Sequence, residues 1–584
     1  MAGVDAAEVD EQSLRAAAGK GDLDAAIRLG VSLIEQDRHH EAQAVLAPLR
    51  HTTHGVDAAF LLGHSFFAQE RREDAENHWL VAAHAGHLRA AMELADLLEE
   101  AGRPHDAGHW LRVVADGDDR WLRRRAEPRL AAVRVAETAR ALAEQGDGAA
   151  LWRLIRSVPL VAARSAIDRL RDGDPAPGHG RAREAAHLLR AVDTADITRV
   201  TERAARRSTR ILRHSLDFVG AGAAELVGPD PVVAISTYRE SDSGADGVIR
   251  ELRLVDPAGG ETLLHSGPGL YAELGLLDRD SVLSVRSSGG SGPIHWELLR
   301  ITRDGVENWT DGPAAPFPRL AMTRYGFFVG LQTHTRAIVG SEGTAGLLDL
   351  APAGIRYRTR VLAVDPTGES VAVVDEHVLV VLETRTWNVV AAADLSAHGL
   401  GHIEYLTFAA PDRLFGSGEK SVVAWSVRGG TITPRTSVAR SWVRELCAIP
   451  AWGVVAGMVD SAPVFLDDTT LEPVPTPPAL IGADRGIIRQ LRATPGGRFV
   501  VYGGQVLVGE QDFGDVTAVH DLRHPLSPVL RPPNRLTPAD RADLAALLRG
   551  EPRRDATGAD HVLAADERRV LELVLALAEG PDGW

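Results

Sequence analysis

The sequence predicts a multidomain α + β chain: an N-terminal α-solenoid, a seven-bladed β-propeller and a short C-terminal helical tail. Three observations lead there. Small residues recur with a period of 33 near the N-terminus, so that Ala25, Ala26, Leu29 and Gly30 return as Ala58, Ala59, Leu62 and Gly63. Beyond about residue 216, short β-branched runs alternate with Gly, Pro and Asp turns. Pro366, Pro411, Pro450 and Pro495 stand in such turns, 45, 39 and 45 residues apart, close to the spacing of about 40–45 residues at which propeller blades repeat. Finally, Thr537-Pro538 has the form of a helix start, with Thr as N-cap and Pro at the first helical position. The predicted domains are 1–120 (helical repeats), 121–215 (irregular helical region), 216–530 (propeller) and 531–584 (C-terminal helices).

In the first domain, "DAAIRLGVSLIEQDRHHEA" from Asp24 and "DAAFLLGHSFFAQERREDA" from Asp57 are copies of one pattern, and "AAMELADLLEEAGRPHDA" from Ala90 repeats it one position sooner. Each copy has a charged turn with Arg38, Arg71 or Arg103, then an acid and Ala42, Ala75 or Ala107 at the start of a second helix. Trp79 and Trp110 fall within one position of matching places there. Small residues let antiparallel helices approach, while Leu and Trp fill the space between units. The pattern resembles tetratricopeptide and Sel-type helical repeats over about 24–118, with an incomplete aromatic consensus. From 121 to 215 the helical texture continues without a period. Pro159 marks a helix boundary and "DGDPAPGHG" (172–180) a linker or loop.

The blades are expected over about 219–522. Residues 361–395 and 402–434 each read as four strands with three tight turns. Turn-like positions near Asp230, Asp278 and Arg324 supply three earlier units, with "ELRLVDPAGG", "WELLRITRDG" and "GLLDLAPAG" as their third strands. The fifth unit resembles a WD repeat. Gly401-His402 opens it, Ala410-Pro411-Asp412 makes its first turn, and Trp425-Ser426 closes the third strand where that family has Trp-Asp. Two other segments, 365–369 and 494–498, match the family's first turn, whereas the Gly-His and Trp-Asp pairs are missing from the other units. In the tail, 564–579 is rich enough in Leu and Val to require a docking surface, in this chain or in a partner.

Composition bounds the function. With 584 residues, 45% hydrophobic and 25% charged, the chain has the make-up of a folded protein of two to four domains. Its 64 basic residues are all arginine except Lys20 and Lys420, which points to a GC-rich, bacterial coding sequence. The net charge of −16 argues against nucleic acid, whose phosphates need a basic face; the basic runs 120–129 and 203–213 read as solvated helix faces. A single cysteine, Cys447, excludes an intramolecular disulfide and a cysteine-built zinc site. The acidic N-terminus lacks a leader pattern and no eighteen apolar residues run together, so a cytoplasmic location without membrane insertion is expected.

No catalytic, cofactor or metal residues are assigned. The stretch "FGSGEKSVVAW" (415–425) has the residues of a phosphate loop, but Glu419 separates Gly418 from Lys420 and a strand follows where a helix is required. His51/His54, His84/His87 and His105/His109 form close pairs without the acidic partner of a helix-borne zinc motif. Ser65 in "LGHSFF" stands in the core register of the second helical copy, with Phe67 where a nucleophile elbow has glycine. One distributed feature remains. The turns between second and third strands carry Glu240, Asp242, Asp246, Asp375, Glu376, Glu419, Lys420 and Asp460. The WD resemblance implies that such turns share one face around a central channel. Either that face is acidic and takes a basic partner, or the residues reflect the ordinary polarity of turns. The function expected is that of a non-enzymatic protein-interaction scaffold or adaptor; a propeller-based hydrolase or lyase and a ligand-sensing regulator are the alternatives.

Overall fold

The computed structural model describes residues 11–579 except 102, 165, 168–180, 214–217, 227–231, 241–247, 256–259, 269, 289–294, 312–318, 331–334, 342–343, 357–360, 376–377, 396–401, 440–442, 460–461, 481–486, 495–496, 508–512 and 552–560. The chain divides into two compact units, 1–137 and 138–584.

In the first unit three helical hairpins follow one another: α1 (Leu23–Glu35) with α2 (His39–Leu46), α3 (Gly55–Ala68) with α4 (Arg72–His84), and α5 (Leu88–Glu100) with α6 (Pro104–Asp116). Helix α7 (Arg120–Glu144) comes next. The 33-residue period is a packing period. A Cβ on Gly30 would lie 2.5 Å from Leu46, and one on Gly63 would lie 2.3 Å from Trp79, so in the first two hairpins the helices meet where a side chain has no room, and the third has Ala95 at that place. In the third copy, one residue short, the place of Trp79 falls to Leu111, which is fully buried beside Trp110. The charged turns repeat as well. Arg38 pairs with Glu41 at 2.8 Å, Arg71 with Asp74 at 2.8 Å and Arg103 with Asp106 at 2.9 Å. Each carboxylate sits in the first turn of the second helix, where the helix dipole favours it; being exposed, the pairs mark the turn more than they stabilise it.

In the second unit α8 (Gly148–Ser157), α9 (Arg181–Ala191) and α10 (Thr194–Ser208) lead directly into β1 (Thr209–Arg213). A β-propeller follows. Its antiparallel sheets are β2 (Phe218–Leu226) to β5 (Glu261–Pro268), β6 (Leu270–Leu276) to β9 (Gly305–Asp311), β10 (Arg319–Thr323) to β13 (Thr344–Asp349), β14 (Val361–Val364) to β17 (Val389–Asp394), and β18 (Ile403–Ala410) to β21 (Thr431–Ala439). The last two of these touch through one parallel pair, Ala392 with Thr431. Next come the three strands β22 (Arg444–Ile449), β23 (Val454–Val459) and β24 (Ala462–Asp467), to which Pro473 adds an isolated bridge. The final sheet runs β25 (Ile487–Ala493), β26 (Phe499–Leu507), β27 (Phe513–Asp521) and then β1.

Runs such as "SVAVV" and "VLVVLE" lack alternation because their sheets are covered on both faces. Leu379 and Val381 of one sheet share a core with Leu414 and Trp425 of the next, and Phe415 and Val422 share another with Val455 and Leu466. The ring closes the same way, with Val233 and Ile235 of the first sheet against Phe499 and Val519 of the last. On one rim the first turn of a sheet accepts a hydrogen bond from the end of its third strand or the residue just after it: Thr384 N to Glu369 O (2.9 Å), Val427 N to Asp412 O (2.9 Å), Asp468 N to Gly453 O (3.0 Å) and Leu522 N to Arg498 O (2.8 Å). These recurrent bonds explain why the turn motifs of sequence repeat.

One strand assignment is corrected. "GLLDL" is not a third strand but the end of β13, the fourth and outermost of its sheet; the third is β12 (Arg336–Ser341). Leu347 is 66% exposed while Ala337 is fully buried, so apolar content misled where position in the sheet decides burial. The expected linker at 172–180 and the turn at Asp230 lie outside the described residues.

After β27 the chain runs through a buried stretch, with Leu522, Leu526, Val529 and Leu530 inaccessible, into α11 (Pro538–Leu548) and α12 (Ala565–Ala578). Thr537 caps α11, as the Thr-Pro pair predicts, and Asp540 makes the bond reciprocal by accepting the Thr537 N–H. The Leu- and Val-rich α12 docks within this chain, on α9, α10 and α11.

Candidate functional site

The first helices of the hairpins, with α7, line a groove in the first unit of about 550 Å³. Its apolar lining is Val31 and Ile34 from α1, Phe60 and Leu61 from α3, and Leu122 from α7. Its polar lining is Glu35, His64, Arg89, Glu93 and Arg125. The repeat register generates this surface: Val31 and His64 occupy one place in successive copies, and Leu61 and Glu93 another. These positions lie beside the core positions Leu29, Leu62 and Leu94, which are at most 2% exposed. They are thus free to vary in chemistry while the fold repeats.

Phe60 and His64 of the lining belong to an aromatic cluster that continues into the core. The rings of Phe60 and His64 meet edge to face at 4.5 Å, Phe60 and His87 lie 4.3 Å apart, and His64 meets Trp79 at 5.4 Å. Burial, and next the charge of His87, holds the His64 imidazole below its ordinary value. Burial also lowers His87, whose Nδ1 accepts the Ala90 N–H at 3.1 Å and so caps α5. Burial pushes the Glu93 carboxyl up, with Asp96 adding to the shift and Arg125 and Arg129 opposing it. The groove therefore offers an apolar floor, one imidazole that burial biases toward its neutral form, and charges of both signs.

The histidine pairs take structural places. His54 bonds Asp24 at 2.9 Å and His87 faces Asp57 at 3.8 Å, each pair 30 residues apart and one repeat from the other. His84 meets the Trp110 ring at 4.9 Å and His105 lies 3.7 Å from Glu137. Ser65 is buried and donates to His39 O.

Of the acidic turn residues, Asp242, Asp246, Glu376 and Asp460 lie outside the described residues, as does the side chain of Glu240 at the end of β3 (Val232–Glu240). Asp375 is turned inward. It is 1% exposed, and its carboxylate accepts the N–H groups of Val378 at 2.8 Å and Arg356 at 2.9 Å, so it closes a turn and presents no charge to a partner. Glu419, half-buried, and Lys420, exposed, form the two-residue turn between β19 (Arg413–Gly418) and β20 (Ser421–Arg428). Among the described residues the structure thus brings only Glu419 and Lys420 to one surface. The groove residues carry no motif; their signal in sequence is the set of non-core positions in the repeated register.

No family model matches the chain, and no curated protein matches it in sequence. Solved structures similar to it include a chain of the mitotic checkpoint complex, at 13% identity and TM-score 0.36, covering 53% of this chain and 91% of that one. Another is the Cps50 (Swd1) β-propeller domain of Myceliophteria thermophila, at 11% identity and TM-score 0.35, covering 53% of this chain and 99% of that one.

Proposed function

We propose that this chain is a non-enzymatic scaffold or adaptor of the cytoplasm, with a tetratricopeptide- or Sel-like solenoid that grips one protein and a seven-bladed, WD-repeat-like propeller that displays a second surface. The single observation that carries the reading is the groove on the first helices, where Phe60, Leu61 and Leu122 stand half-buried or buried among Arg89, Glu93 and Arg125. A concave apolar surface edged by mixed charge suits a helical or extended peptide. Held on one chain with a propeller face, such a peptide gains from the high effective concentration of two linked sites. The exposed Lys420 turn belongs to that second face.

The test is site-specific photo-crosslinking in the full chain, in the cell of origin. A crosslinker at Leu61 is expected to give discrete protein adducts that Phe60→Asp abolishes. A crosslinker at Val81, 61% exposed and off the groove, serves as the background. Adducts at Leu61 no more discrete than those at Val81 would overturn the reading.

A further inference from the structure

Charged side chains gather on the innermost strands of the ring, where sheet-to-sheet packing does not require them. Arg319 opens β10, Glu404 and Tyr405 stand at the start of β18, Arg444 and Glu445 open β22, and Arg492 lies near the end of β25. Strands β10 and β22 are not neighbours, since β14 and β18 stand between them in the ring. Burial pushes the Glu445 carboxyl up, and the charges of Arg492, Arg319 and Arg444 oppose that shift; burial likewise pushes the Tyr405 hydroxyl up, with Glu445 adding to the shift and Arg319 opposing it. The groups therefore lie within electrostatic range of one another across the interior of the ring, where β22 contacts both β18 and β25.

The backbone is bent where they do so. Pairing registers shift between Ile403 and Tyr405, between Arg444 and Cys447, and between Ile488 and Gln490. Glu445 itself has φ of 52°, a left-handed conformation that costs a non-glycine residue on the order of 1 kcal/mol. Bulges re-aim side chains, and strained residues persist where the surrounding structure holds them for a purpose. Here the re-aimed residue is a glutamate among three arginines.

Glu445 Oε2 and Arg492 Nε are buried and have no hydrogen-bond partner among the described residues. Leaving such an atom unmatched costs roughly 1–3 kcal/mol, more when the group is charged. One atom is an acceptor and the other carries a donor hydrogen. A molecule that satisfies both must present an oxygen to Arg492 and a hydroxyl or N–H to Glu445. Among the described residues three arginines stand with two glutamates in this cluster, in a chain of net charge −16, a local balance that favours an anion.

We propose that the interior of the ring binds a small oxyanion that also carries a hydrogen-bond donor, such as hydrogen phosphate or a hydroxycarboxylate, between Arg492 and Glu445. This site is separate from the helical groove, and its occupancy would let the propeller report on a metabolite.

Isothermal titration calorimetry on the full chain tests it, with inorganic phosphate, malate and sulfate as probes at matched ionic strength. Saturable binding of phosphate or malate is expected, and whichever of the two binds identifies the class. Sulfate, which lacks the donor, should bind more weakly. Arg492→Ala and the near-isosteric Glu445→Gln should each weaken binding about tenfold or more, while Arg324→Ala, on a rim turn, should leave it unchanged. Circular dichroism checks that each variant is folded, and Glu445→Gln stands as the test if Arg492→Ala is not. Absence of saturable binding by phosphate and malate alike, sulfate binding as tightly as phosphate, or unchanged affinity in folded Glu445→Gln would overturn the proposal.

Discussion

The hydroxyl of Thr209 lies 2.9 Å from Nδ1 of His520. It joins the first strand of the propeller to the last across 311 residues of chain, and Ser208 approaches the same nitrogen at 3.2 Å. The Ser208 hydroxyl donates to Ala204 O at 2.6 Å, and whether Nδ1 accepts from Thr209 or donates to it follows the imidazole tautomer. The imidazole is neutral. Burial forces that state, holding its pKa down to about 3, with the charges of Arg531 and His524 adding to the shift and Asp521 opposing it.

The folded pKa lies below the unfolded value of about 6.5, so the stability contributed by His520 is complete above that pH and is lost as pH falls toward 3. The loss has a limiting slope of about 1.4 kcal/mol per pH unit. Urea denaturation followed by β-sheet circular dichroism should find the protein about 2 kcal/mol less stable at pH 5 than at pH 6.5 through this group. His520→Gln should shrink the pH difference by that amount. An equal pH dependence in both proteins would refute the assignment.

Gly63 faces Trp79 with no space for a methyl group. Gly63→Ala should therefore destabilise the first unit by about 1–3 kcal/mol, despite the better helix propensity of alanine. Trp79→Ala, which empties a fully buried site, should cost about 3–5 kcal/mol. Helical circular dichroism during thermal unfolding measures both.

Asp468 has a fully buried side chain that binds Arg413 at 3.0 Å and Arg535 at 2.8 Å. Arg413 belongs to the preceding sheet and Arg535 to the segment leaving the ring, so one carboxylate joins three parts of the chain. Removing it leaves two guanidinium groups facing each other. Asp468→Ala is expected to cost about 3–5 kcal/mol, and limited proteolysis should then cut near Arg535 faster than in the parent protein.

Glu567 is buried at the start of α12, where it accepts from Arg203 at 3.0 Å and Arg207 at 3.3 Å. It also accepts the Ala564 N–H that opens its own helix, at 3.0 Å. Asp566 pairs with Arg203 too, at 3.2 Å. Glu567→Ala should release α12 with a loss of about 3 kcal/mol or more, read as faster amide exchange in residues 565–578. Undiminished protection there would show that apolar packing alone holds the helix.

What was legible in the sequence was local and repeated. Gly30 and Gly63, the arginine–acid pairs of the hairpin turns and the Thr537 cap each act within one or two elements, so their spacing survives in the chain. Trp425 was legible because a large ring buried between two sheets leaves an isolated signature. Strand β1 was not: five residues that include Arg210 and Arg213 have no apolar period, and their partner is supplied from the other end of the propeller. Asp375 misled because an aspartate that accepts backbone N–H groups looks in sequence like one that faces water. The groove escaped because it consists of what the repeat leaves variable.

Pairing the first strand with the last also sets an order in time. When β1 leaves the ribosome, β27 is still about 300 residues from being made, an interval of roughly 15–60 s at 5–20 residues per second. Until then Thr209 to Arg213 are an unpaired edge, joined to helices whose own cover, α12, is synthesised later still. Birth of the native ring thus waits on β27, and a ribosome stalled before it would hold an open propeller.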